Sequence, residues 1–184
     1  MIANVAVDGG IVKATLQPGR TERDANDLRR ALLRETTALS ATVHEIEENT
    51  SGFADEIIAH RISLLPLRNN ITVGDTLTVN ARGPRVVLAK DLLSEDGASS
   101  VPAEAHNIML ALLAKDECVS LAATVEAGSG KDDARFNHVV AARVVGGGGE
   151  AVGVAFETLS SADSVDDLLR EAVSAVDRAS LVDV

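Results

Sequence analysis

The chain has 184 residues, with 17 Lys and Arg against 28 Asp and Glu and a formal net charge of −11. Hydrophobic residues make up 46% and charged residues 24%, a globular composition that excludes wholesale disorder and suits one domain, or one domain carrying a small insert. No apolar run approaches the roughly 18 residues that span a bilayer, and the start Met1-Ile2-Ala3-Asn4-Val5 has no basic segment leading a long apolar one, so a soluble intracellular chain is expected.

In chain order, Ile11 to Leu16 reads as a short strand of β-branched residues behind the turn signal Asp8-Gly9-Gly10. Thr21, with Asp24 three residues on, has the form of a capping arrangement and starts a helix to about Glu35, with Ala25, Leu28 and Leu32 on its apolar stripe. Leu39 to Glu48 is extended, with Ala41, Val43, Glu45 and Glu47 on one side. Asp55 to Leu64 reads as a short helix stopped by Pro66, because the residue before a proline is biased out of the helical region. From Arg68 to Ala105, β-type segments (Ile71 to Val79, Arg85 to Ala89) alternate with Gly and Pro, the texture of a small β-rich insert. Ile108 to Leu113 resumes as a core segment. Val119, Leu121, Ala123 and Val125 alternate with Cys118, Ser120, Ala122 and Thr124, a strand pattern of period two.

Val139 to Val145 and Val152 to Phe156 read as two further strands, and Gly146 to Gly149 between them most simply form a hairpin loop. The last segment places Val165, Leu168, Leu169, Ala172, Val173 and Val176 on one wide helical face. Ser161 to Ser164 supply caps there, and Asp163, Asp166 and Asp167 sit in the first turn, where the helix dipole favours anions. Burial of such a stripe must offset the entropy of ordering the helix, so it needs docking against its own sheet or a partner chain.

Candidate chemistry is thin. The acidic balance, with only Phe53, Phe136 and Phe156 as aromatics, argues against direct sequence-specific reading of nucleic acid; a local basic patch is left around Arg29, Arg30 and Arg34. Gly128-Ser129-Gly130-Lys131 resembles part of a phosphate loop. However, Val125 stands where the first loop glycine belongs, and Asp132 where Ser or Thr must follow the lysine. His44, His60, His106 and His138 lack metal-ligand spacing, and the single Cys118 excludes a disulfide or a multi-cysteine cluster, so neither metal nor cofactor is expected. The pairs Asp132-Asp133 and Asp166-Asp167 read as solvated carboxylates rather than Mg²⁺ ligands. His60 with Asp55 or Glu56 forms the one conceivable acid–histidine pair.

Four stretches resemble the α-like subunits of multisubunit DNA-directed RNA polymerase, most closely the archaeal D-type subunits and the third-largest subunit of the eukaryotic enzymes. They are Ala25-Asn26-Asp27-Leu28-Arg29-Arg30-Ala31-Leu32, Val43 to Ser51, Gly128 to Phe136, and above all Ala54-Asp55-Glu56-Ile57-Ile58-Ala59-His60-Arg61-Ile62-Ser63-Leu64-Leu65-Pro66-Leu67. The closing strand and helix, Val154 to Val176, fit the family in order. Ser63 stands in place of a family glycine, Asp133 of a histidine and Phe136 of a tryptophan, and the cysteine clusters that hold metal in many relatives are absent.

The resemblance implies an α+β fold. A split dimerisation domain (1–67 and 106–184), an antiparallel sheet with two long helices, is interrupted by a small β-rich insert (68–105). It also implies a non-catalytic assembly subunit, found at the site of transcription, that forms a heterodimer with a small eleventh-subunit-like or L-like partner. That heterodimer then seats the second-largest and largest subunits and small adaptors. The implied dimer interface comprises Leu28, Leu32, Val165, Leu168, Leu169, Ala172, Val173 and Val176; the implied large-subunit contacts are Arg29, Arg30, Asp55, Glu56, His60 and Arg61. Two alternatives stand beside it: a homodimeric α-type scaffold, and a stand-alone α+β enzyme using His60 with Asp55 or Glu56.

Overall fold

The computed structural model describes residues 1–147, 151–158 and 162–182. In chain order the elements are β1 (Ile2–Asp8), β2 (Ile11–Leu16), α1 (Glu22–Arg34), β3 (Thr37–Asn49), α2 (Asp55–Ser63), β4 (Thr76–Arg82), β5 (Arg85–Leu88), β6 (Met109–Leu113), β7 (Cys118–Ser129), β8 (Val139–Val145), β9 (Gly153–Thr158) and α3 (Ala162–Val182). The fold is α+β, with antiparallel pairing in a four-stranded sheet, in a two-stranded ribbon and between β4 and β7. The chain divides into two compact units, residues 1–38 with 129–184, and residues 39–128. The segment 68–105, expected as an insert, lies within the second of these, where Ile71 and Val101 share one core with Ile58, Ile62, Leu110 and Val119.

The first unit is built on a sheet of order β1-β2-β9-β8. β1 and β2 form a hairpin whose two turn residues, Gly9 (φ 55°) and Gly10 (φ 87°), supply the left-handed conformations that a tight two-residue turn demands. β1 is absent from the sequence-based expectation, although Ile2, Val5 and Val7 give it a share of β-branched residues close to that of β2, and it is held extended by pairing with β2. α1 packs on β8, β9 and α3. Its apolar stripe, Ala25, Leu28, Ala31 and Leu32, is buried with Val12, Leu16, Val139, Val154 and Phe156 and with Val165, Leu168, Leu169 and Ala172 of α3. Thr37 ties α3 to the end of α1, its N–H and hydroxyl donating to the Glu171 carboxylate at 3.1 and 2.6 Å. The reading of Gly148 and Gly149 as part of the hairpin loop, and of Ser161 as a cap, lies outside the described residues; α3 starts at Ala162, which puts Asp163 in its first turn.

The second unit holds a sheet of order β3-β7-β4 and the β5-β6 ribbon, with α2 on β6. Alternation along β4 and β7 sends Leu77, Val79, Ala81, Val119, Leu121, Ala123 and Val125 inward, as the period-two pattern predicts. Among the differences from expectation are two boundaries and one burial pattern. Ile71 to Asp75 is a turn rather than strand, because Asp75 accepts from the Thr72 N–H and hydroxyl at 2.8 and 2.9 Å, and β4 therefore starts at Thr76. β5 ends at Leu88, whose N–H is taken by Asp91 at 2.8 Å as a single 3-10 turn begins. In the segment expected to be core, Ile108, Met109 and Leu112 are exposed and only Leu110, Ala111 and Leu113 are buried.

Candidate functional site

Among the described residues, no cluster of His, Cys, Asp and Glu is arranged to hold a metal ion. The acid–histidine pair is not assembled: Asp55 accepts from the Asn49 amide at 2.6 Å, Glu56 and His60 stand exposed, and no hydrogen bond joins the His60 ring to either carboxylate among the described residues. Cys118 is buried beside the Thr50 hydroxyl, which accepts from the Cys118 N–H at 2.8 Å.

The Gly-Ser-Gly-Lys stretch has a structural explanation in place of a phosphate-binding one. It turns the chain out of β7 and brings its backbone against the C-terminal end of α1, where the Lys131 N–H donates to the Arg34 carbonyl at 3.0 Å. That satisfies one of the carbonyls a helix end leaves unpaired. A side chain at Gly130 would bring its Cβ within 2.3 Å of the Leu33 carbonyl oxygen, so the approach requires glycine. Asp132 closes the turn by accepting from the Ser129 hydroxyl at 2.7 Å and from its N–H at 3.2 Å, and these bonds hold the Asp132 carboxyl below its usual range.

The helices also present surface. On α3, Val165, Leu168, Leu169 and Ala172, all expected at a dimer interface, are buried against their own sheet and α1, as are Leu28 and Leu32. Leu28, Leu32 and Ala172 are fully covered within the single chain, whereas Leu169 keeps a little surface at the groove next to it. Val173 and Val176 keep surface. Beside them runs a groove of about 550 Å³, lined by Ile2 and Val5 of β1 and by Leu169 and Val173 of α3, with Arg170 and Asp177 among its charged side chains. β1 is an edge strand of the sheet, and its participation in this groove had no signal in the sequence.

The residues expected to meet large subunits divide between the two units. On α1, Arg29 is held by the Asn26 side-chain oxygen through Nε at 3.1 Å and Nη2 at 2.9 Å, whereas Arg30 is exposed. On α2, Asp55, Glu56 and His60 are exposed, opposite the buried Ile58 and Ile62. Arg61 turns inward, its Nη1 donating to the Leu110 carbonyl at 2.9 Å and to that of Met109 at 3.4 Å, with the guanidinium 4.8 Å from the centre of the Phe53 ring.

Comparison with known proteins finds relatives among archaeal RNA polymerase subunits. The chain is 35% identical over 125 residues to the DNA-directed RNA polymerase subunit Rpo3 of Thermococcus kodakarensis, covering 61% of this chain and 47% of that protein. It is 33% identical over 144 residues to Rpo3 of Natronomonas pharaonis, covering 72% and 58%. It is 30% identical over 132 residues to Rpo3 of Archaeoglobus fulgidus, covering 62% and 49%. The chain thus spans about half the length of the curated relatives it matches, and no family model matches it. The resemblance to the archaeal D-type subunits, read from the motifs at 25–32 and 54–67, holds across these archaeal proteins.

Proposed function

We propose that this relative of the archaeal Rpo3 proteins is a non-catalytic assembly subunit of a DNA-directed RNA polymerase, one that pairs with a small α-like chain and scaffolds the two large subunits. The observation that carries the reading is the open groove between α3 and β1, apolar on Ile2, Val5, Leu169 and Val173 and flanked by charge. A stretch of apolar surface bounded by charged side chains suits an amphipathic helix of a partner, whose burial there would remove greasy area from water. Dimerisation in this reading belongs to the outer segments 1–67 and 106–184, with 68–105 as the insert; the compact unit bearing α3 is residues 1–38 with 129–184.

Large-subunit contact falls to the exposed polar side chains: Arg30 and the flank of Arg29 on α1, and Asp55, Glu56 and His60 on α2. Guanidinium groups suit such work because they meet carboxylates and carbonyls in a planar fork. Bond-making is left to the other chains. Small adaptors are proposed partners as well, on the strength of the resemblance alone.

The test is co-purification. A tagged chain expressed in its own cells is expected to bring down a small α-like subunit and the two large polymerase subunits, and to elute with the small one as a one-to-one complex on size-exclusion chromatography. Light scattering at twice the chain's mass, with no second polypeptide, would replace the heterodimer by a homodimer. A lone monomer with no polymerase components attached would overturn the reading.

A further inference from the structure

We infer that Arg61 is a positioning residue: it latches α2 and the loop before it onto β6, and thereby fixes the exposed face of α2 without itself meeting a partner. β6 pairs with β5, with a shift of register between Val87 and Leu88. Arg61 reaches β6 from α2 at this irregular point: Nη1 donates to the Leu110 carbonyl at 2.9 Å and to that of Met109 at 3.4 Å.

The same guanidinium lies over the Phe53 ring at 4.8 Å, an arrangement in which the ring quadrupole attracts the cation. Phe53 belongs to the loop that enters α2, and that loop is braced in turn by Asn49, whose amide donates to the Phe53 carbonyl at 2.9 Å and to Asp55 at 2.6 Å. α2 has no side-chain cap at its N-terminus, Ala54 having none to give, so the loop is held by this network instead. Loop, helix and strand are therefore joined at Arg61. Lysine could reach one carbonyl but has neither the planar group to stack nor a second donor in fixed geometry.

Hydrogen–deuterium exchange on the 184-residue chain tests this, with Arg61→Ala, Arg61→Lys and Phe53→Leu compared with the parent. Arg61→Ala should speed exchange about tenfold in α2 (55–63) and β6 (109–113) while β4 and β7 keep their protection. Arg61→Lys should recover part of that protection, and Phe53→Leu should lose less than Arg61→Ala. If Arg61→Ala does not fold, the same selective pattern is read from the other two variants. Unchanged exchange in α2 and β6, or an equal rise in β4 and β7, would overturn the inference. Because the measurement concerns contacts within the chain, it stands or falls independently of the polymerase reading.

Discussion

At the scale of single residues, the glycine and the lysine of the apparent phosphate motif are explained by backbone geometry. Gly130 sits where a Cβ would approach the Leu33 carbonyl oxygen to 2.3 Å, and the next residue's N–H caps α1 at Arg34. Gly130→Ala must therefore push the turn off the helix end and release that hydrogen bond. Overpacking of this kind costs about 1–3 kcal/mol, and for a chain of this length each kcal/mol lowers the melting temperature by about 2–4 °C. Calorimetry on Gly130→Ala should show that fall, with far-UV circular dichroism little changed; an unaltered melting temperature would mean that the turn relaxes freely. Which glycine is obligatory was not readable beforehand, because Gly128 and Gly130 are the same letter in the same motif. Only the tertiary approach of α1 distinguishes them.

At the scale of elements, the legible parts are those whose signal is local. β2 runs from Ile11 to Leu16 as its residues suggest, and α1 begins at its capping box: the Thr21 N–H donates to Asp24 at 2.7 Å and the Asp24 N–H to the Thr21 hydroxyl at 3.4 Å. The Thr21 N–H, foremost, and the Thr21 hydroxyl at 2.8 Å both donate to the Asp24 carboxylate and lower its pKa, and its half-exposed ion pair with Arg20 adds a little. A carboxyl whose folded-state pKa lies below its unfolded value near 3.9 stabilises the fold above that value, and the contribution fades as pH falls through the folded-state pKa. Asp24→Asn should thus be less stable than the parent at neutral pH, with the gap closing in acid; Thr21→Ala, which loses the cap itself, should cost about 1 kcal/mol. Urea titrations from pH 7 downward would check both, and a gap that stays constant as pH falls would mean that the charge of Asp24 contributes nothing. Two features set by near neighbours in the chain are missed all the same: β1 pairs with β2 across the Gly9-Gly10 turn, and the Thr72–Asp75 turn overrides the β-type residues from Ile71 onward.

At the scale of the whole molecule, an apolar helical stripe carries one ambiguity that no sequence pattern removes. Burial inside the chain and burial against another chain leave the same spacing of Val, Leu and Ala. The stripe of α3 proves to serve its own core at Val165, Leu168, Leu169 and Ala172, and to border open surface at Val173 and Val176. That division turns two superficially equivalent substitutions into opposite experiments. Leu168→Asp puts an unpaired carboxylate into the core, a change that costs about 3–5 kcal/mol and should unfold the lone chain. Val173→Asp sets its charge at the groove, near Arg170, and should cost the lone chain about 1 kcal/mol or less while removing partner binding. Thermal melts of each variant alone, followed by pull-down of the small α-like chain, separate the two effects. Val173→Asp that folds and still pairs at parental strength would move the contact away from the groove between α3 and β1. The loss of pairing in a chain that melts normally would assign the contact to that groove, because the core beneath it would be demonstrably intact.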